Sequence, residues 1–529
     1  MPELANGAYG SHSPPRTNAN SVVASNWNRG SQMRVGTPDP AEDKRVQQSC
    51  NDRGPVAKVV RRHTDGIMCR AAGLPLLLGL LFVPKRFHAA SLEIGRAYAA
   101  RFWRVRAVGE WFDIVAAILL WPLGVLIAAL WFTYRNGAII AAQSGRSVMS
   151  QFGDQLRLAV TAGVLPAWYY VFELYKPGRT CSARAYLTRG QTKRGAYRVF
   201  AENRGSSTPL SDKAKFAEYC AERQLPAIPV LLSARDGALV GPVRSPDSLS
   251  QADLFVKPVR GRGGRGAERW DFLRGGLYRH VEGETLSAAQ FLERLCRMSL
   301  RKPYLVQERV GNHPAIVDLS NGALNTVRVI SCLDEQERPE VIGAVLRMAV
   351  GRNVTVDNVH AGGLAAAVEL DSGRLGQATG AGMDARLGWM ARHPDTGARI
   401  AGRPLPLWDE VLDLVLRAHA AFRDWVVVGW DVAIRGEGVC LVEGNSGPDV
   451  DLIQRPLGAP FGNGRFGELL AFHLQRARSP ACRPAISRPR NAMPVVNQFA
   501  SGAALPRPDC VVGGEQHPHV QGQIVADHP

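Results

Sequence analysis

Two stretches of the chain gather residues that could do chemistry. The first is LFVKPVRGRGGRGAERW, residues 254–270, where Lys257 stands on an apolar run just ahead of Gly261, Gly263, Gly264 and Gly266. Glycines let backbone N–H groups approach phosphate oxygens, and Lys257, Arg260, Arg262 and Arg265 add positive charge, so the stretch suits a polyphosphate. An RGG-type RNA contact has the same composition, but no aromatic residues interleave with the glycines and strand-like runs flank them. The second stretch is GWDVAIRGEGVCLVEGNSGPDVD, residues 429–451, with Asp431 on one expected strand and Glu443 and Asn445 on the next. Alternate residues of a strand share a face, so Glu443 and Asn445 project together, and strand pairing can bring Asp431 alongside. Carboxylate and amide oxygens are what a hard magnesium ion takes.

Between these stretches lie Asn325, Thr326 and Arg328 in NTVRV, Arg347 in VLRM, and the run Asp357, Asn358, His360, Gly362, Gly363. An arginine inside an apolar strand is costly unless paired. Arg328 and Arg347 are therefore expected to meet anions in a cleft, an internal salt bridge being the alternative. A lone histidine such as His360 is not taken as a catalytic base.

The elements that must position these residues can be read from periodicity. LFVKPV, YLVQERV, TVRVISCL, EVIGAVLRMAV, VVVGWDVAI and VCLVEGN read as strands alternating with helical stretches, the pattern of a soluble α/β domain. Trp408, Val411, Leu412, Val415, Ala418 and Phe422 fall at helical spacing, which predicts a core-facing helix over residues 407–425.

Around this region the composition changes. Residues 1–57 and 479–529 lack apolar periodicity and are expected to be disordered tails. Residues 58–178 form a basic and hydrophobic helical region, and 179–478 the catalytic domain. Ile114 to Phe132 is an uncharged apolar run of 19 residues with Trp111, Phe112 and Tyr134 at its ends, long enough to span a bilayer. Residues 58–106 hold ten Lys or Arg against Asp65 and Glu93 alone, which keeps the N-terminal side cytoplasmic. One crossing would then strand the catalytic domain outside. A kinked hairpin, a second insertion over Leu158 to Phe172, or an interfacial helix would keep both flanks inside. The short apolar stretch Leu74 to Val83 cannot span. The formal charge of +17 attracts any polyanion and does not choose among them. The nine cysteines show no metal-binding spacing.

Taken in order, the blocks resemble the ATP-grasp superfamily, specifically its sugar-transfer-associated group related to α-L-glutamate ligases. The resemblance covers about half the chain. It implies an α+β fold in which two α+β subdomains clasp ATP, here preceded by a membrane-associated helical region. It implies that Lys213, in the DK pair with Asp212, and Lys257 touch ATP phosphates, and that YLVQERV is the adenine-holding hinge. Gln307 would then act through its side chain, and Glu308 and Val310 mainly through backbone. Asp431, Glu443 and Asn445 fall at the family's Mg²⁺-ligand positions. The implied reaction is activation of a small-molecule carboxylate as an acyl phosphate for attack by an amine. Sugar-linked substrates in envelope or exopolysaccharide synthesis, at the cytoplasmic face of a membrane and without nucleic acid, complete the expectation. A phosphotransferase on the same fold and a non-catalytic ATP-binding subunit are the alternatives.

Overall fold

The computed structural model describes residues 89–479 apart from 103–108, 242, 244, 262, 352–353 and 360–361. The expectations for residues 1–57, Leu74 to Val83, Arg262, His360 and the chain beyond Ser479 lie outside the described residues. Everything described belongs to one compact unit.

Two antiparallel sheets carry the molecule, and the strand-like runs of the sequence fall in them. The first sheet orders its strands β2-β1-β7-β3-β4-β5-β6. They are β1 (Leu232–Arg235), β2 (Ala238–Val240), β3 (Leu254–Pro258), β4 (Glu268–Leu273), β5 (Leu277–His280), β6 (Thr285–Ser287) and β7 (Tyr304–Glu308). One face packs on the helix Ala288–Ser299 through Leu254, Val256, Trp270, Tyr278, Phe291, Leu295 and Val306. That helix starts cleanly because Ser287 and Gln290 cap each other's backbone. Since Leu254 and Val256 point to this core, Phe255 and Lys257 point to the other face.

The second sheet orders its strands β12-β11-β10-β9-β8-β13-β14. Its central members are β8 (Thr326–Leu333), β9 (Pro339–Met348), β13 (Val427–Arg435) and β14 (Gly438–Asn445). β10 (Leu364–Val368), β11 (Leu375–Thr379) and β12 (Trp389–Met390) extend it. The alternation in TVRVISCL decides what each face meets. Val327 and Val329 enter a core built on the expected helix, Trp408–Ala421, with Trp408, Val411, Leu414, Val415 and Ala418. Ile330 and Cys332 face a second core containing Phe466, Leu469, Leu470 and Leu474 of the helix Arg465–Arg478. Thr326 and Arg328 share that second face, where the helices end and a cleft begins.

Ahead of the sheets stand α1 (Ala89–Phe102), α2 (Gly109–Ser144), α3 (Val148–Thr161) and α4 (Pro166–Val171). The apolar run of the sequence is the middle of α2, which continues through Pro122. The stretch Leu158 to Phe172 is not one continuous helix. It is the end of α3, a turn and α4, and Leu158, Tyr169, Tyr170, Val171 and Phe172 are buried in a core with Ile140 and Tyr186. Contacts also cross the boundary expected after residue 178, for Arg179 Nη1 bonds Glu173 Oε2 at 3.2 Å.

Candidate active site

The two sheets face each other across a cleft of about 1070 Å³. Its floor is a row of paired residues on the larger sheet. Arg328 on β8 pairs with Asp431 on β13, and Asp431 with Glu443 on β14. Just beyond Asp431 the β13–β14 register shifts, leaving Val442 as the extra residue of a bulge beside Glu443. Bulges re-aim neighbouring side chains and concentrate at working sites.

Asp431 is buried and engaged by two arginines. Arg328 grips it bidentately, with Nη2 donating to Oδ2 at 2.9 Å, and Arg347 Nη2 approaches the same oxygen at 3.0 Å. Burial alone would raise the Asp431 pKa, but Arg328 and Arg347 outweigh it and hold the carboxyl below its usual range. Arg347 also reaches Asp357 at 3.4 Å, whose carboxylate accepts from the Thr326 backbone N–H at 2.8 Å. Burial pushes the Asp357 pKa up, against the pull of Arg347 and Thr326.

The structure shows which partners these residues take, and for the two arginines it is the internal salt bridge that stood as the alternative. Arg328 and Arg347 do meet an anion in the cleft, but that anion is Asp431. Asp431 in turn is not an open ligand equal to Glu443, because three of its roughly four lone-pair positions accept from arginine. Glu443 and Asn445 are the open oxygen donors. Glu443 is partly exposed, with Lys213 Nζ at 3.4 Å from Oε2. The Asn445 amide nitrogen donates to Gly429 O and Glu443 Oε1, both at 3.3 Å, which commits its donors and leaves the acceptor atom Oδ1 for other partners. Among the described residues no three His, Cys, Asp or Glu side chains form a metal cluster. A hard cation here would use Glu443 and Asn445, with water and phosphate oxygens completing the shell.

The opposite wall carries Lys257 on β3, buried, with its Cα partner Leu305 on β7. Burial pushes the Lys257 pKa down to about 8, Lys213 adds to the effect, and Glu443 and Asp431 oppose it. Lys213 opens the helix Lys213–Glu222, whose N-cap is Asp212, accepting from Lys215 N at 3.2 Å. Asp212 of the DK pair thus holds the helix start, while Lys213 Nζ donates to Gly261 O at 3.2 Å and ties the glycine loop to the floor. In that loop Gly263 and Gly264 have φ of 74° and 70° and lie against residues 354–359.

On the hinge strand the Gln307 side chain has a partner within the protein. Gln307 donates through Nε2 to the Ile228 carbonyl at 2.7 Å, so its amide staples the segment entering β1. The backbone roles fit better. Arg309 N donates to Asp253 O at 2.8 Å, so in the alternating ladder the backbone groups of Glu308 point to the opposite edge. β1 pairs only Tyr304 to Val306 along that edge, so Glu308 and Val310 border the cleft there.

Cleft residues that the sequence did not single out include Arg189, Lys193 and Asp449. Lys193 Nζ lies 2.6 Å and Arg189 Nε 3.2 Å from Asp449 Oδ1. Their i, i+4 spacing within RGQTK was the available signal, but it lies outside any strand pattern. Summed over the lining, ten Lys or Arg face five Asp or Glu, a surplus of five positive charges.

A family model described as sugar-transfer associated ATP-grasp matches residues 193–461, just over half the chain. The chain belongs to the sugar-transfer associated ATP-grasp family. Its two-sheet α+β architecture is the ATP-grasp fold. Similar solved structures include D-alanyl-alanine synthetase A from Vibrio cholerae, at 12% identity over 51% of this chain and 65% of that one, with a TM-score of 0.30. D-alanine–D-alanine ligase from Bacillus anthracis is 11% identical over 51% and 67%, with a TM-score of 0.28. L-amino acid ligase from Bacillus licheniformis is 11% identical over 51% and 49%, also at 0.28. The chain spans less than two thirds of the first and third of these proteins. No curated protein matches the chain.

Proposed function

We propose that this ATP-grasp protein is an ATP- and magnesium-dependent ligase that joins a small carboxylate to an amine at the cytoplasmic face of a membrane. The observation that carries the reading is the placement of Lys257 opposite the Glu443–Asn445 oxygen face, with Lys213 beside Glu443, in one positively charged cleft. The phosphates of ATP would lie between the two walls, under the glycine loop, with the backbone edge at Glu308 and Val310 for adenine. Glu443 and Asn445 would hold magnesium, which neutralises phosphate charge when bound.

The carboxylate oxygen attacks the γ-phosphorus, the bond to the β–γ bridging oxygen breaks, and ADP leaves. An amine then forms the C–N bond as the acyl C–O bond breaks, releasing phosphate and the amine proton. The protein's share is positioning and charge. Lys257 and Lys213 stabilise the transferring phosphoryl. Asp431 fixes the Arg328 and Arg347 guanidinium planes, which keeps both pre-set at the floor. Closure of the glycine loop would exclude water from the acyl phosphate. The sugar-transfer description of the family supports a sugar-linked substrate for envelope or polysaccharide synthesis.

The engagement of Asp431 by two arginines favours a second reading, an ATP-binding subunit without turnover, because among the described residues of the floor only Glu443 and Asn445 remain as open metal donors. One experiment separates the readings: the protein is incubated with ATP, magnesium and a panel of carboxylates in hydroxylamine. ADP with a trapped hydroxamate supports the ligase. ADP with a stable phosphate ester means a phosphotransferase, and nucleotide binding without ADP for every carboxylate overturns the enzymatic reading.

A further inference from the structure

α2 has two unequal sides. A narrow stripe of Ile114, Ala117, Trp121, Val125, Ala129 and Thr133 is buried. Asp113 is buried too and Phe132 packs partly inward, but most of the remaining surface from Trp111 to Tyr134 faces outward, with Leu119 72%, Leu123 56%, Ile127 58% and Trp131 56% exposed. A continuous apolar face of this size is not left to water in a soluble protein. It rises roughly 35 Å at about 1.5 Å per residue, so length alone would allow a crossing of a ~30 Å hydrocarbon core.

What the helix packs against does not allow it. Ile114, Trp121 and Val125 cluster with Tyr98 and Phe102 of α1 and with Ala159 of α3. Further along, Gln155 Nε2 donates to Thr133 Oγ1 at 2.7 Å and Gln151 Nε2 to Gly137 O at 3.0 Å. α3 therefore runs antiparallel beneath α2, and it carries Gln151, Asp154, Gln155 and Arg157, with Arg157 Nη2 3.2 Å from Asp154 Oδ1. A crossing would draw that ion pair and those amides into hydrocarbon, where polar and charged groups are expensive. The flanks of this apolar stretch are also tied to the same body. Near the first, α1 holds Arg478 through Glu93 at 2.6 Å and Glu202 through Arg101 at 2.6 Å. At the second, Arg135 bonds Asp384 at 2.7 Å and Asn136 Oδ1 accepts from Ala385 N at 2.7 Å.

We propose that α2 lies in the plane of one lipid leaflet, sinking its outer apolar face among the acyl chains while α1, α3 and the ATP-grasp cleft stay together on one side. The occupant of the face is lipid, as the uninterrupted apolar length and the tryptophan and tyrosine residues toward its ends require. This mode rests on the membrane location proposed above and removes the conflict between the basic N-terminal flank and a cytoplasmic ATP site.

The full chain is tested by flotation with vesicles of phosphatidylethanolamine and phosphatidylglycerol, alongside the triple variant Leu119→Glu, Leu123→Glu, Ile127→Glu. Wild type should float, and the variant should lose at least tenfold in bound fraction while its nucleotide affinity stays within twofold, since all three side chains are exposed. In membranes, Glu110→Cys and Ala142→Cys should both react with an impermeant maleimide from the cytoplasmic side, the modified peptides being identified by mass spectrometry. Labelling from opposite sides overturns the in-plane arrangement while leaving membrane binding intact. Failure of wild type to float removes the membrane location itself. A lipid-independent dimer that the triple variant converts to monomer would show a second copy covering the face and likewise overturns the proposal.

Discussion

Asp431 and Glu443 are paired residues on adjacent strands, yet one is locked and the other open: Asp431 is gripped by Arg328 and Arg347, whereas Glu443 meets Lys213 across 3.4 Å at the edge of the cleft. The pairing sets a division of labour that mutation can read. Asp431→Ala strips the counter-charge from two arginines on the floor, and removing one partner of a buried pair costs about 3–5 kcal/mol. Glu443→Gln should change stability by less than about 1 kcal/mol, because its ion pair is long and partly exposed. In magnesium titrations of nucleotide turnover the order reverses. Glu443→Gln should need at least tenfold more magnesium, and coinciding curves for this variant and wild type would remove Glu443 from the metal site.

If ATP phosphates bind beside Lys257 as proposed, this residue gives nucleotide binding a pH dependence whose sign is fixed. Burial brings its pKa down to about 8, and phosphate oxygens bound beside it would favour the charged form. Below pH 8 the ammonium is already charged and binding needs no proton. Above pH 8 the free protein has lost that proton, so binding must take one up and affinity falls as pH rises. Calorimetry at pH 9 in buffers of different ionisation enthalpy should show proton uptake. Lys257→Ala should abolish the uptake and weaken ATP by about 1.5–3 kcal/mol, the worth of a charged hydrogen bond. Unchanged uptake in the variant would assign the proton to another group.

Much of the layout of the candidate site was legible because strand periodicity and chemistry coincide. TVRVISCL is β8 from its first residue to its last, and its alternation already separates Thr326 and Arg328 from Val327 and Val329. Glu443 and Asn445 emerge on a shared face for the same reason. Partner choice was not legible. A sequence shows that a strand arginine needs an anion, but not that Asp431 supplies it from the neighbouring strand, since that depends on the β8–β13 register. The Gln307 amide was similarly ambiguous until the chain path brought the Ile228 carbonyl within 2.7 Å. The short edge strands β2, β6 and β12 have two or three residues each, too few to show a period.

The contact of Gln307 turns an expected ligand contact into a stability prediction. Gln307→Ala leaves the buried Ile228 carbonyl without its side-chain donor, which costs about 1–3 kcal/mol in a buried setting. Thermal or denaturant unfolding should register that loss, while discrimination between ATP and GTP should hold to within about twofold. Loss of ATP preference with unchanged stability would return the adenine role to this side chain.

The glycine loop offers a test that separates backbone conformation from crowding. Gly264 has φ of 70°, and a Cβ added there would lie 2.8 Å from Val356 Cγ1, closer than real contacts allow. Gly264→Ala therefore carries two penalties, left-handed strain of about 1–2 kcal/mol and a clash with residues 354–359. Pairing it with Val356→Ala removes the Cγ atoms and with them most of the clash, but leaves the backbone strain. If the loop closes over phosphates by keeping its present backbone, the double variant should recover only part of the ATP affinity lost by the single one. Nucleotide titrations of wild type, both single variants and the double variant form a cycle that measures the coupling. Full recovery would mean that contact with Val356 alone sets the loop, and no loss in Gly264→Ala would exclude this part of the loop from nucleotide binding.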